Sequence, residues 1–219
     1  MKSLTPTNKV PRPVKVRRSQ EQRRQDTQER VLKAALDLLA EDGYARLTTT
    51  AVAARAGVSR GAQENYFRTK TDLIAAATRY AMDSATAHAA KSAQAARSAP
   101  DPLQLFLDDS RAFFLSRSYR AMMELALAGR SEPALARIHR AAFVKFRKDL
   151  DRVWIRTLVD AGLPRPLVEE FVELSVYLLR GMALTELILP QRMAPAAVMR
   201  KWHTLAAPLR AQVQRIRKK

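Results

Sequence analysis

The 219-residue chain contains no cysteine. A disulfide framework, a thiolate nucleophile and a cysteine-ligated metal are therefore excluded, which suits a reducing compartment. Glycine is scarce, at six residues, and no Asn-Gly or Asp-Gly pair joins two alternating apolar–polar runs. Hairpins are not expected. Long hydrophobic runs are missing too. The most apolar stretch, residues 174–189, is broken by Arg180 and Glu186 and falls short of the roughly 20 residues that span a bilayer. Near the first residue, Pro11, Pro13 and several arginines interrupt any apolar run of signal-peptide length. The expectation is a cytoplasmic protein with no membrane partner.

Positive charge, by contrast, is abundant. Lys and Arg number 39 against 21 Asp and Glu, a formal +18. Such an excess points to a polyanion, either nucleic acid or an anionic membrane surface. Residues 1–20 hold six basic side chains and no acidic one, and residues 200–219 hold seven and none. The termini are cationic appendages on an ordinary body. With 47% apolar residues, that body can form a proper core.

The period is helical. Val31, Ala34, Ala35, Leu38 and Leu39 recur at the spacing of one helix face. The chain reads as all-α. Breakers divide it into a first helix over 26–41, ended by Asp42-Gly43, and two short helices around Ala56-Gly57-Val58. A long helix follows over 71–96, then others over 102–117, 119–129, 132–161, 165–188 and 195–216. The expected division is a basic flexible arm over 1–24, a small helical unit over 25–72 and a larger helical unit over 73–219.

Residues 46–72 read RLTTTAVAARAGVSRGAQENYFRTKTD. Thr48 can cap a short helix, Gly57 can take a positive φ in a tight turn, and Val58 can plug the angle. Ser59 can cap a second helix running to about Phe67. Two short helices joined by such a turn form a helix-turn-helix, whose second helix enters the major groove. Two core helices meeting at a corner would give the same spacing.

The run Thr48…Val52-Ala53…Ala56-Gly57-Val58-Ser59-Arg60-Gly61-Ala62…Tyr66-Phe67…Lys70…Asp72-Leu73 resembles the N-terminal domain of TetR-family transcriptional regulators. Val31…Ala34-Ala35…Leu38-Leu39…Gly43-Tyr44 resembles that family's first helix. The resemblance implies a three-helix DNA-binding domain and an all-helical homodimer whose remaining residues bind a small-molecule effector. A repressor on a palindromic double-stranded operator, released by that effector, is the implied function. The departures are Ala51 where an acid is usual, and Gln63 and Glu64 where apolar or aromatic residues are usual. Glu64 is open to three roles, with a helix pair to Arg68 put first.

Ser59, Arg60 and Gly61 open the recognition helix, and Ala62 is small enough to let it sit deep. Gln63 and Asn65 carry amides that match adenine. By resemblance, Thr48, Tyr66 and Lys70 contact phosphate. Arg17 and Arg18 precede the first helix as minor-groove arms do in other DNA-binding proteins, the alternative being a disordered tail. Phe106, Phe113, Met122, Phe146, Trp154 and Tyr177 lie on helices the family builds into its pocket, which suggests an apolar or aromatic effector. Phe171, Leu174, Leu178 and Gly181 lie on a helix the family pairs across its dimer. His88, His139 and His203 match no metal spacing, no catalytic motif is present, and no cofactor is expected. The competing reading is a basic interaction or membrane-surface module, since the tail over 210–219 could also bind anionic lipid.

Overall fold

The computed structural model describes residues 19–189, 195–208 and 211. Nine helices and no strand occur among the described residues. They are α1 (Gln20–Arg46), α2 (Thr49–Ala56), α3 (Arg60–Glu64), α4 (Lys70–Ala96), α5 (Pro102–Phe114), α6 (Arg117–Ala128), α7 (Pro133–Asp160), α8 (Arg165–Ile188) and α9 (Pro195–Leu205).

Helix α1 begins at Gln20, six residues before the expected start, because Ser19 and Gln22 form a reciprocal capping box. Ser19 Oγ accepts from the Gln22 N–H at 3.1 Å, and Gln22 Oε1 accepts from the Ser19 N–H at 2.9 Å. Residues 20–24, read as flexible arm, are therefore helical. Arg17 and Arg18 lie outside the described residues. Near its far end α1 kinks at Gly43, whose φ is +78°. Proline opens α5 and α7, where its missing N–H leaves no bond unmade.

Two hydrophobic clusters organise the packing, and they part within α4 between Ala81 and Met82. The first joins α1, α2 and the start of α4 through Val31, Leu39, Leu47, Val52, Phe67 and Leu73. It also takes in Ala121 and Leu125 of α6 and Leu135 of α7. The second gathers Phe106, Phe114, Met122, Phe146, Trp154, Phe171 and Leu179 from α5 to α8. Helix α6 thus gives one face to each cluster. Polar ties reinforce the junction: Arg117 Nη1 donates to Glu41 Oε1 at 2.8 Å, and the Tyr44 hydroxyl donates to Glu132 Oε2 at 2.6 Å.

Candidate nucleic-acid interface and effector cavity

The turn between α2 and α3 forms as its residues dictate. Thr48 Oγ1 accepts from the Ala51 N–H at 3.1 Å and starts α2. Gly57 adopts φ 65° and ψ 40°, a left-handed conformation that closes α2. Val58 packs half-buried on the first cluster, and Ser59 Oγ accepts from the Ala62 N–H at 3.1 Å to start α3. Val52, Ala53, Ala56 and Phe67 are buried beneath. Thr48, Ser59, Arg60, Gly61 and Asn65 are exposed together, with Ala62 and Tyr66 half-buried beside them. A Cβ added to Gly61 would meet nothing within 4 Å.

Three side chains depart from the sequence reading. Gln63, expected to face adenine, is fully buried (0% exposed) and its Nε2 donates to the Phe67 carbonyl at 3.0 Å. That bond closes the turn after α3, which ends at Glu64 rather than at Phe67. Glu64 pairs with Arg60, at 2.7 Å from its Nε, rather than with Arg68. Lys70, expected on phosphate, is half-buried and turned back. Its Nζ donates to the Tyr44 carbonyl at 2.9 Å and sits 3.8 Å over the Tyr44 ring. Burial pushes the Lys70 ammonium down from its usual value, and burial with the Glu132 bond pushes the Tyr44 hydroxyl up to about 12.

A cavity of about 270 Å³ lies among α4, α5, α7 and α8. Of the residues expected at an effector pocket, Phe106, Phe113 and Trp154 line it. Met122 and Phe146 do not line it; both are buried in the core. Tyr177 is 61% exposed and borders a separate groove between α7 and α8. The polar lining went unread in the sequence: His88, Asp109, Ser110, Arg147 and Asp151. Their signal was faint, being charge on helix faces otherwise occupied by aromatics. Burial raises the Asp151 carboxyl and lowers the Arg147 guanidinium.

On α8 the expected partner face is rotated. Phe171 is buried, stacked on Trp202 with centroids 5.9 Å apart, and Leu178 is half-buried against the second cluster. Leu174 and Gly181 are exposed, together with Leu167, Tyr177, Leu184 and Ile188. Nothing lies within 4 Å of a Cβ placed on Gly181. Among the described residues no group of three or more His, Asp or Glu could hold a metal ion, and no helix is long and apolar enough to cross a membrane.

Comparison with known proteins converges on one family. Residues 31–77 match the pattern of the bacterial regulatory proteins, tetR family. The chain is 32% identical over 171 residues to the HTH-type transcriptional regulator CymR of Pseudomonas putida, covering 78% of this chain and 84% of the relative. A transcriptional regulator from Rhodococcus is 26% identical with a TM-score of 0.55, covering 86% of this chain and 95% of that one. A putative TetR-family regulator, also from Rhodococcus, shares the fold at 17% identity with a TM-score of 0.64, over 84% and 98% of the two chains. The chain belongs to the TetR family: it is a DNA-binding transcriptional regulator and not an enzyme.

Proposed function

We propose that the protein is a homodimeric repressor that reads a palindromic operator with α3 and leaves it when a small molecule fills the cavity. The observation that carries the reading is the exposed cluster Thr48, Ser59, Arg60, Gly61 and Asn65 over a fully packed underside. Glycine costs about 1 kcal/mol in a helix against alanine. Neither a positive φ nor an internal contact requires it at position 61. Close approach of a duplex supplies the reason. Arg60 and Asn65 are the base readers, while Gln63 serves the fold. Lys70 reaches phosphate only by leaving Tyr44.

The exposed stripe on α8, with Gly181 at its middle, supports pairing of two copies. One α3 reads only a half-site, and two half-sites about 34 Å apart require two-fold symmetry. Repression is the direction proposed because most regulators of this family are repressors released by a small molecule, and the cavity offers a place for one.

Selecting bound duplexes from a random pool tests the reading. The expected product is a palindrome, and Arg60→Ala or Asn65→Ala is expected to cost about 1–3 kcal/mol at particular base pairs. Unchanged affinity in both variants, or a monomer by light scattering with and without DNA, would overturn it.

A further inference from the structure

The cavity is lined by two carboxylates and one guanidinium, and only one carboxylate is matched. Arg147 Nη2 lies 2.5 Å from Asp151 Oδ1. Asp109, on α5, is almost sealed from solvent, with its side chain 7% exposed. Its Oδ1 nevertheless makes no hydrogen bond. His88 Nε2 stands 3.3 Å from that oxygen without the geometry of a hydrogen bond, and the imidazole is largely open to solvent. A buried carboxylate without full compensation is costly to keep. Phe106, Ser110 and Phe113 of the same helix line the cavity beside it.

Resting on the reading that this cavity receives the effector, we propose that the effector is an organic cation. It is a protonated amine on a small apolar or aromatic body, with the ammonium donating to Asp109. Three features of the cavity select this class. With Arg147 engaged by Asp151, the lining has one negative charge left over. The rings of Phe106, Phe113, Phe114 and Trp154 share the cavity, and aromatic faces attract cations. At about 270 Å³ the space lies just below the roughly 300–1,000 Å³ of drug-sized sites, so it suits a body of one or two rings. An anionic effector would meet Asp109 as a like charge.

Three probes of one body isolate the end group: phenylpropylamine, phenylpropanol and phenylpropionate. Each is titrated into the intact protein by calorimetry, with tryptophan fluorescence as a second readout. The amine is expected to bind about tenfold or more tighter than the alcohol, and the carboxylate weakest. In Asp109→Asn, checked by its melting curve, the amine is expected to fall to the level of the alcohol. If the carboxylate binds best, or all three bind equally, and Ala85→Phe in the cavity wall abolishes that binding, the cavity reading stands and the cation proposal is overturned. An amine preference that survives in Asp109→Asn overturns it as well. If no probe binds at millimolar concentration, both readings fall.

Discussion

The two hydrophobic clusters are built from different side chains, and the difference divides the labour of the molecule. Around α1 and α2 the buried residues are alanine, valine, leucine and isoleucine, with Phe67 the one aromatic among the described buried members. Small aliphatic groups let short helices approach closely and interdigitate at the density of a molecular crystal. In the larger cluster, flat rings meet at steep angles, 69° between Phe106 and Trp154 and 70° between Phe113 and Phe114. Phe106, Phe113, Phe114 and Trp154 of these pairs border the cavity. One region is packed with small aliphatic groups beneath an exposed surface, and the other encloses a cavity. Helix α6 joins them, with Ala121 and Leu125 in the first cluster and Tyr119 and Met122 in the second.

The sharpest way to break this comparison is to delete volume from each side. Leu125 is fully buried, so Leu125→Ala is expected to cost about 2–5 kcal/mol by chemical denaturation. Phe113 is half-buried and already borders empty space. Phe113→Ala is expected to cost less, because it widens a cavity rather than creating one. A larger loss for Phe113→Ala would mean that the aromatic region is the tightly packed one.

A finer separation lies within α3. Gln63→Ala leaves the Phe67 carbonyl without its donor and opens a void, so a loss of about 1–3 kcal/mol in stability is expected with base preference unchanged. Asn65→Ala removes an exposed side chain. Its stability should stay within about 0.5 kcal/mol of the parent, while operator affinity falls. Should Gln63→Ala alter base preference at unchanged melting temperature, the buried geometry would not be the one that binds DNA.

These residues also show how far sequence reading carries. Thr48, Gly57 and Ser59 were legible because a cap or a left-handed turn is dictated by neighbours along the chain. Helix α8 was legible to its ends for the same reason, with Pro164 before it and Pro190 after it. Gln63 and Phe171 misled because burial is decided by helices distant in sequence. An amide on α3 looks like a base reader until the Phe67 carbonyl turns back to it. Phe171 belongs to an apolar stripe on either side, and its contacts with Phe106 of α5 and Trp202 of α9 show that it faces inward. The cavity's charged lining was hidden likewise, since Asp109 of α5 and Arg147 and Asp151 of α7 come to one cavity only through the packing of those helices.

The smallest expected effect concerns acid, and it sets a histidine of the larger region against carboxylates of α1. All three histidines lie beyond residue 87, outside α1 to α3. His139 is half-buried and stacked on Phe143, with centroids 5.7 Å apart. Burial lowers its pKa below the usual 6.5. The unfolded chain therefore takes up a proton that the folded chain resists, and the stability His139 contributes is full above about pH 6.5 and lost as the pH falls below it. In the first region the relevant groups are carboxylates. Glu41 is held below its usual 4.5 by Arg55, and Glu29 by Lys33. What they contribute is full above pH 4.5 and lost only below it. Melting temperature measured from pH 7 to pH 4 is expected to decline in two steps. His139→Phe should flatten the upper step and leave the lower one, and Glu41→Gln should shrink the lower one alone. If His139→Phe leaves the decline between pH 7 and pH 5 unchanged, the larger region does not lose stability through this histidine.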